Sequence, residues 1–137
     1  MRRPYLLDTC AAIWLLADSL PAAADAALAE AHENGVLTYV SPITAWEVSV
    51  SARKGRFASS LAPRRWFERL MGAPGMALAD MAPAVLIGSQ ELPDFPTGDP
   101  ADRIIAATAR EYGYTVVTRD SALLEYGKQG YLSVLEC

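Results

Sequence analysis

The sequence predicts an α/β fold built on a mainly parallel sheet of roughly five strands. Three observations predict it. Short apolar runs of strand length alternate with helix-length stretches along the whole chain. The clearest runs, YLL before Asp8 and YTVVT before Arg119, read as buried strands. A chain of 137 residues that is 52% hydrophobic suits one domain spanning 1–137, with a core large enough to need no disulfide or structural metal.

Each element follows from local chemistry. Tyr5-Leu6-Leu7 ends on Asp8 and feeds a helix through Ala11, Ala12, Ile13, Trp14, Leu15 and Leu16. Pro21 sits in the first turn of an alanine-rich helix that runs to Glu33 and is closed by Asn34-Gly35. Residues 36–40 alternate, with β-branched and aromatic side chains, and predict the second strand; Ser41-Pro42 then starts a helix. That helix carries Ile43, Trp46 and Val50 at helical spacing, and Glu47 falls on the same stripe, so a carboxylate is expected on its apolar face. Gly55 ends it. A further helix over 62–71, with Trp66, Phe67 and Leu70 as its apolar members, is broken by Gly72-Ala73-Pro74-Gly75. A third strand is predicted over 76–79, then a helix over 81–91 with a proline in its first turn, then a Pro/Gly/Asp loop over 93–100. Asp99-Pro100-Ala101-Asp102 supplies a cap, a proline at the first helical position and an acid in the first turn of a helix carrying Ile104, Ile105 and Thr108. The YTVVT strand, a short helix and a last strand over 131–135 complete the alternation.

Charge narrows the function. Sixteen acidic against 12 basic residues give a net charge of −4, the wrong sign for coating nucleic acid by bulk attraction. Six of the basic residues, Arg53, Lys54, Arg56, Arg64, Arg65 and Arg69, fall in a stretch whose only acid is Glu68. This segment is either a solvated helix face or a phosphate-contacting surface. Cys10 and Cys137 form no disulfide framework, and a reducing cytoplasm is expected. The opening Met1-Arg2-Arg3 imitates a secretion leader, but Asp8 interrupts the apolar stretch such a leader needs. The longest uncharged stretch, 34–46, is too short and too polar for a membrane span, so no membrane association is expected.

The chemistry lies in the acids. Asp8 follows the first strand, Asp120 follows YTVVT, and Asp102 begins the helix leading into that strand; right-handed crossovers bring these to one edge of the sheet. Glu47 joins them, because an ionised carboxylate on an apolar face is costly unless paired or bound to a cation. A cluster of carboxylates repels itself unless protons or hard cations neutralise it, and an oxygen-only donor set suits Mg²⁺ or Mn²⁺ over Zn²⁺. Such a site activates water for in-line displacement at phosphorus, so phosphodiester hydrolysis is the natural expectation. Taken singly, Asp8, Asp99 and Asp120 are equally readable as helix caps, Asp102 as a complement to a helix dipole, and Glu47 as the partner of Arg53, Arg56 or Arg103. Thr9 and Thr118 are candidates for hydroxyls that bond a metal-bound carboxylate or water. His32, the sole histidine, is expected at the surface, and Cys10 is expected in the core at a helix start.

The order and setting of the acids, in LLDTC, SPITAWEVSV, GDPADRIIAATA and VVTRD, resembles that of PIN domains, and within them the VapC toxins of bacterial toxin–antitoxin pairs. The resemblance covers essentially the whole chain. It implies a three-layer α/β/α sandwich, usually dimeric, acting as a Mg²⁺- or Mn²⁺-dependent endoribonuclease and inhibited by a cognate VapB-type antitoxin. Carried over residue by residue, it implies Asp8, Glu47, Asp102 and Asp120 as the catalytic, metal-holding set, with Asp99 of D-P-x-D-R as a helix cap or outer ligand. The chain departs from many members at Cys10, where they carry Asn or His. The basic segment, through Arg53, Lys54, Arg56, Arg64 and Arg65, is then expected to contact RNA or the antitoxin.

Two rival readings stand beside it. A non-catalytic interaction module would keep the fold and use the basic segment for a partner. A small phosphatase would use Asp8 as nucleophile, but such an enzyme is expected to carry a second Asp at the position of Cys10.

Overall fold

The computed structural model describes residues 3–137; Met1 and Arg2, the start of the leader-like opening, lie outside the described residues. The elements in chain order are β1 (Tyr5–Leu7), α1 (Thr9–Leu16), α2 (Ala22–Glu33), β2 (Thr38–Val40), α3 (Pro42–Arg53), α4 (Pro63–Met71), β3 (Met76–Leu78), α5 (Pro83–Gly88), α6 (Pro100–Tyr112), β4 (Thr115–Thr118), α7 (Ser121–Lys128) and β5 (Ser133–Glu136). All five strands are parallel, in the order β3-β2-β1-β4-β5. β1 is central: Leu6 pairs with Tyr39 of β2 on one side and Val116 of β4 on the other. The chain winds outward from β1 to β3, then returns to lay β4 on the other side of β1. That reversal makes the carboxyl ends of β1 and β4 a topological switch point, where open parallel sheets place their ligands.

Strand alternation sends successive side chains to opposite faces. Leu6 and Val116 pack with Ile105, Ala106, Leu123 and Tyr126, while Leu7, Val40 and Val117 pack with Ala11, Ala12, Leu28, Trp66 and Leu70. The helices thus cover both faces, α6 and α7 on one and α1, α2 and α4 on the other, which is the expected three-layer arrangement.

Caps set the helix boundaries. Asp8, Ser41, Asp99 and Asp120 each accept a backbone N–H of the helix they precede. Pro42 and Pro100 follow their caps at the first helical position, where the missing N–H costs nothing. Gly113 closes α6 in the left-handed conformation, φ 75°, that a side chain would strain. Several elements differ from the predicted bounds: α5 covers only Pro83–Gly88, because the chain turns at Ser89, β2 begins at Thr38, β3 ends at Leu78, β4 begins at Thr115, and the last strand lies at Ser133–Glu136. No helix among the described residues is long and apolar enough to cross a membrane.

Candidate active site and metal centre

Asp8 stands at the switch point. Its backbone N–H donates to the Val117 carbonyl at 3.1 Å, so the bonding of β1 to β4 continues one residue past the strand. The residue is only 5% exposed. Oδ1 accepts the Ala11 N–H at 2.8 Å and Oδ2 accepts the Thr118 hydroxyl at 2.5 Å. Burial pushes the Asp8 pKa up, the two hydrogen bonds pull against it, and the charge of Asp120 adds to the rise. The fully buried Thr118 oxygen also accepts the Asp120 N–H at 2.9 Å, tying Asp8 to the start of α7. Asp120 spends Oδ2 on the Leu123 N–H at 3.0 Å.

Glu47 comes from the second turn of α3, and the Thr9 hydroxyl at the head of α1 donates to its Oε1. Thr9 is also 3.0 Å from the hydroxyl of Thr44. Burial raises the Glu47 pKa, Thr9 opposes the rise, and the charges of Asp99 and Asp8 reinforce it. Asp102, in the first turn of α6, is pushed up to about 7, by burial first and then by Asp120, Asp99, Glu47 and Asp8. Every charge acting on it is negative. Five carboxyl groups from α3, α6 and the ends of β1 and β4 therefore crowd one region, which costs free energy until a proton or a cation neutralises it.

The donor set fits a hard divalent cation. Among the described residues no three His, Cys, Asp or Glu side chains close into a cage. Mg²⁺ is commonly held by one or two carboxylates while keeping several waters, so an open group of acids suits it. The nearest sulfur does not compete: partial burial and the charges of Asp8, Glu47, Asp120 and Asp102 push the Cys10 thiol up to about 11, leaving it protonated at neutral pH.

Several expectations are corrected here. Trp46 is not on the inner face of α3; it is 56% exposed, and the buried arc runs through Ile43, Thr44 and Val48. Glu47 lies beside that arc, half-buried, so the carboxylate does face inward although the aromatic next to it does not. Cys10 is exposed rather than in the core, because the first turn of α1 turns Ala11 and Ala12 to the sheet instead. Glu47 finds its partner in Thr9 rather than in an arginine, and Arg103 instead reaches the Thr97 and Ser89 carbonyls at 2.9 and 3.1 Å. Asp8, Asp99 and Asp120 are indeed helix caps, and the same carboxylates act on one another or on Asp102. His32 is exposed, as expected.

The basic side chains Arg53, Lys54, Arg56, Arg64, Arg65 and Arg69 are all exposed, at the end of α3, in the following loop and on the outer face of α4. Arg53 follows Glu47 by six residues, about 9 Å along the helix axis, so the basic segment flanks the acids rather than entering them. Sequence reasoning missed one residue, Thr44, and offered Arg103 only as a partner for Glu47, whereas it holds the loop that leads into Asp99. Thr44 precedes Glu47 by three residues, a spacing that puts both on one side of α3.

The model of the PIN domain matches residues 5–129. The ribonuclease VapC22 of Mycobacterium tuberculosis is 32% identical over 118 residues, covering 86% of this chain and 88% of its own. Among solved structures, a chain of VapBC2 from Rickettsia felis, bound to a DNA fragment from their promoter, superimposes with a TM-score of 0.71 at 16% identity, covering 96% of this chain and 97% of that one. A chain of DNA-bound VapBC from Salmonella typhimurium gives 0.68 at 22% identity, covering 98% of each. With the family model spanning nearly the whole chain and a curated relative at this identity, the chain belongs to the PIN domain family, among its VapC-type members.

Proposed function

We propose that the protein is a metal-dependent endoribonuclease, the toxin of a type II toxin–antitoxin pair, which hydrolyses RNA phosphodiester bonds at the acids around Asp8. The observation that carries this reading is the gathering of carboxyl groups at the switch point of a VapC-type fold, where burial and then the charges of neighbouring acids push Asp8, Glu47 and Asp102 above the ordinary carboxylate range. Asp8 and Asp102 would hold Mg²⁺ or Mn²⁺, with Asp120 and Glu47 completing the shell through water or a second ion and Asp99 as cap or outer ligand. The ion supplies an acidified water and neutralises charge gathering on the phosphate. Thr118 holds Asp8 as a hydrogen-bond acceptor, and Thr9 does the same for Glu47, so both carboxylates stay oriented. Arg53, Lys54, Arg56, Arg64 and Arg65 form a cationic bank beside an acidic site that would otherwise repel RNA. A VapB-type antitoxin, as in the complexes whose chains share this fold, is the expected inhibitor, and a homodimer in the cytoplasm is the expected state.

The test is cleavage of total RNA by antitoxin-free protein with Mg²⁺ or Mn²⁺, with chelator, and with Asp8→Asn. Asparagine can still accept the Ala11 N–H, so the cap survives while the charge is lost. Cleavage by the wild type alone, abolished by chelator, is expected. Equal cleavage by Asp8→Asn, or cleavage that persists in chelator, would overturn the assignment.

A further inference from the structure

We propose that Thr44 is a positioning residue for Glu47, acting through Thr9 in a directed chain of hydroxyls that sets the separation of Glu47 from Asp8. The inference rests on the ribonuclease reading for its consequence and on hydrogen-bond geometry for its existence. A threonine hydroxyl has one proton to give. Thr9 gives its proton to Glu47, so in its 3.0 Å contact with Thr44 it must accept, and Thr44 must donate. Thr44 is wholly buried and has no water to turn to. Ser49 and Thr108 bond back along their own helices to the Ala45 and Ile104 carbonyls, whereas the Thr44 hydroxyl, in the first turn of α3, meets Thr9 on another helix.

The proton order is therefore fixed as Thr44 to Thr9 to Glu47, and each bond polarises the next. Thr9 is the residue after Asp8, whose backbone is pinned to β4. Glu47 is thus tethered to the Asp8 segment although the Asp8 charge raises the Glu47 pKa and repels it. Without Thr44, the Thr9 rotor is no longer locked by an incoming proton and is free to leave Glu47.

The experiment compares wild type with Thr44→Val, Thr44→Ser, Thr9→Val and the double valine variant. The readings are thermal unfolding, Mn²⁺ affinity by calorimetry, and single-turnover cleavage of an RNA found in the pool. Thr44→Val is expected to fold, to cleave about tenfold more slowly and to bind Mn²⁺ severalfold more weakly, in keeping with small misplacements of a catalytic group. Thr44→Ser keeps the hydroxyl and is expected to restore both. Thr9→Val should match Thr44→Val, and the double variant should be no worse, as expected of two links in one chain. Wild-type affinity and rate in Thr44→Val, failure of Thr44→Ser to rescue, or additive losses would overturn the proposal. If Thr44→Val does not fold, Thr44→Ala, which adds no methyl group to the site, carries the same readings. Failure of the ribonuclease reading would look different: wild type itself would bind no Mn²⁺ and cleave nothing. The crystal structure of Thr44→Val then decides, a displaced Glu47 side chain supporting the chain of hydroxyls and an unmoved one refuting it.

Discussion

Asp102 carries a pKa of about 7, far above the ordinary aspartate value of 3.8, so protons bind it more tightly in the folded protein than in the unfolded chain. Stability therefore falls as pH rises wherever the folded state holds the proton and the unfolded state has lost it, which for this group is from about pH 4 to about pH 7. Glu47 and Asp8, also raised, act in the same direction. Metal-free protein in chelator is expected to melt at a higher temperature at pH 5 than at pH 8, and Asp102→Asn to flatten that slope and raise the melting point at pH 8. A thermal-melt series across this range checks both, and a slope unchanged in Asp102→Asn would exclude it as the source. Thr118 has the opposite sign. Its hydroxyl satisfies Asp8 Oδ2 and the Asp120 N–H together, so Thr118→Val takes the partner from a buried carboxylate oxygen and from a half-buried N–H. A loss of about 2 kcal/mol is expected in urea denaturation, within the usual cost of such orphaned groups.

Among the elements, α1, α6 and α7 all begin on an acid of the site and direct their N-terminal ends, with their partial positive charge, toward it. This eases the crowding of carboxylates, and it explains why an aspartate serves both as cap and as a member of the acidic cluster. The end of α3 and the outer face of α4 carry the opposite charge. Arg53→Glu combined with Arg56→Glu is expected to weaken RNA binding and to reduce the salt slope by roughly 1.4, the value for two lost phosphate contacts on a single strand. Titrations at several salt concentrations measure this, and unchanged affinity and slope would remove the RNA-docking role from the segment. At this scale most of the architecture was legible, because caps are local: D-P-x-D fixed the start of α6 and Asn34-Gly35 the end of α2. The phase of α3 was not. Its buried arc includes Thr44, whose hydroxyl is satisfied by Thr9 on another helix, while Trp46 stands in solvent. Hydropathy alone ranks tryptophan inside and threonine outside, whereas here Ile43 and Val48 fill the core positions and the cross-helix bond satisfies the Thr44 hydroxyl between them. Cys10 was misjudged for a related reason: small Ala11 and Ala12 fit closer to the sheet than a thiol at the first turn.

For the whole molecule, the sheet order decides where charge accumulates. Winding outward to β3 and then back to β4 leaves Asp8 and Asp120 on adjacent strand ends, and α6, leading into β4, delivers Asp102 beside them. The folded chain thus assembles a group of acids that the unfolded chain does not have, so metal affinity becomes folding free energy. At a hundred times its dissociation constant, an ion that binds only the folded state adds about 2.7 kcal/mol. For a chain of this size that raises the melting temperature by about 8–13 °C, interpolating between the values for smaller and larger domains. Binding must also displace the proton on Asp102. Around pH 7 that group still holds part of its proton, so each Mg²⁺ or Mn²⁺ bound should release a fraction of a proton, with little release at pH 9. Calorimetric titration in two buffers of different ionisation enthalpy measures the number directly. A binding heat that does not depend on the buffer at pH 7 would show that the ion displaces no proton from Asp102, whatever the melting temperature does.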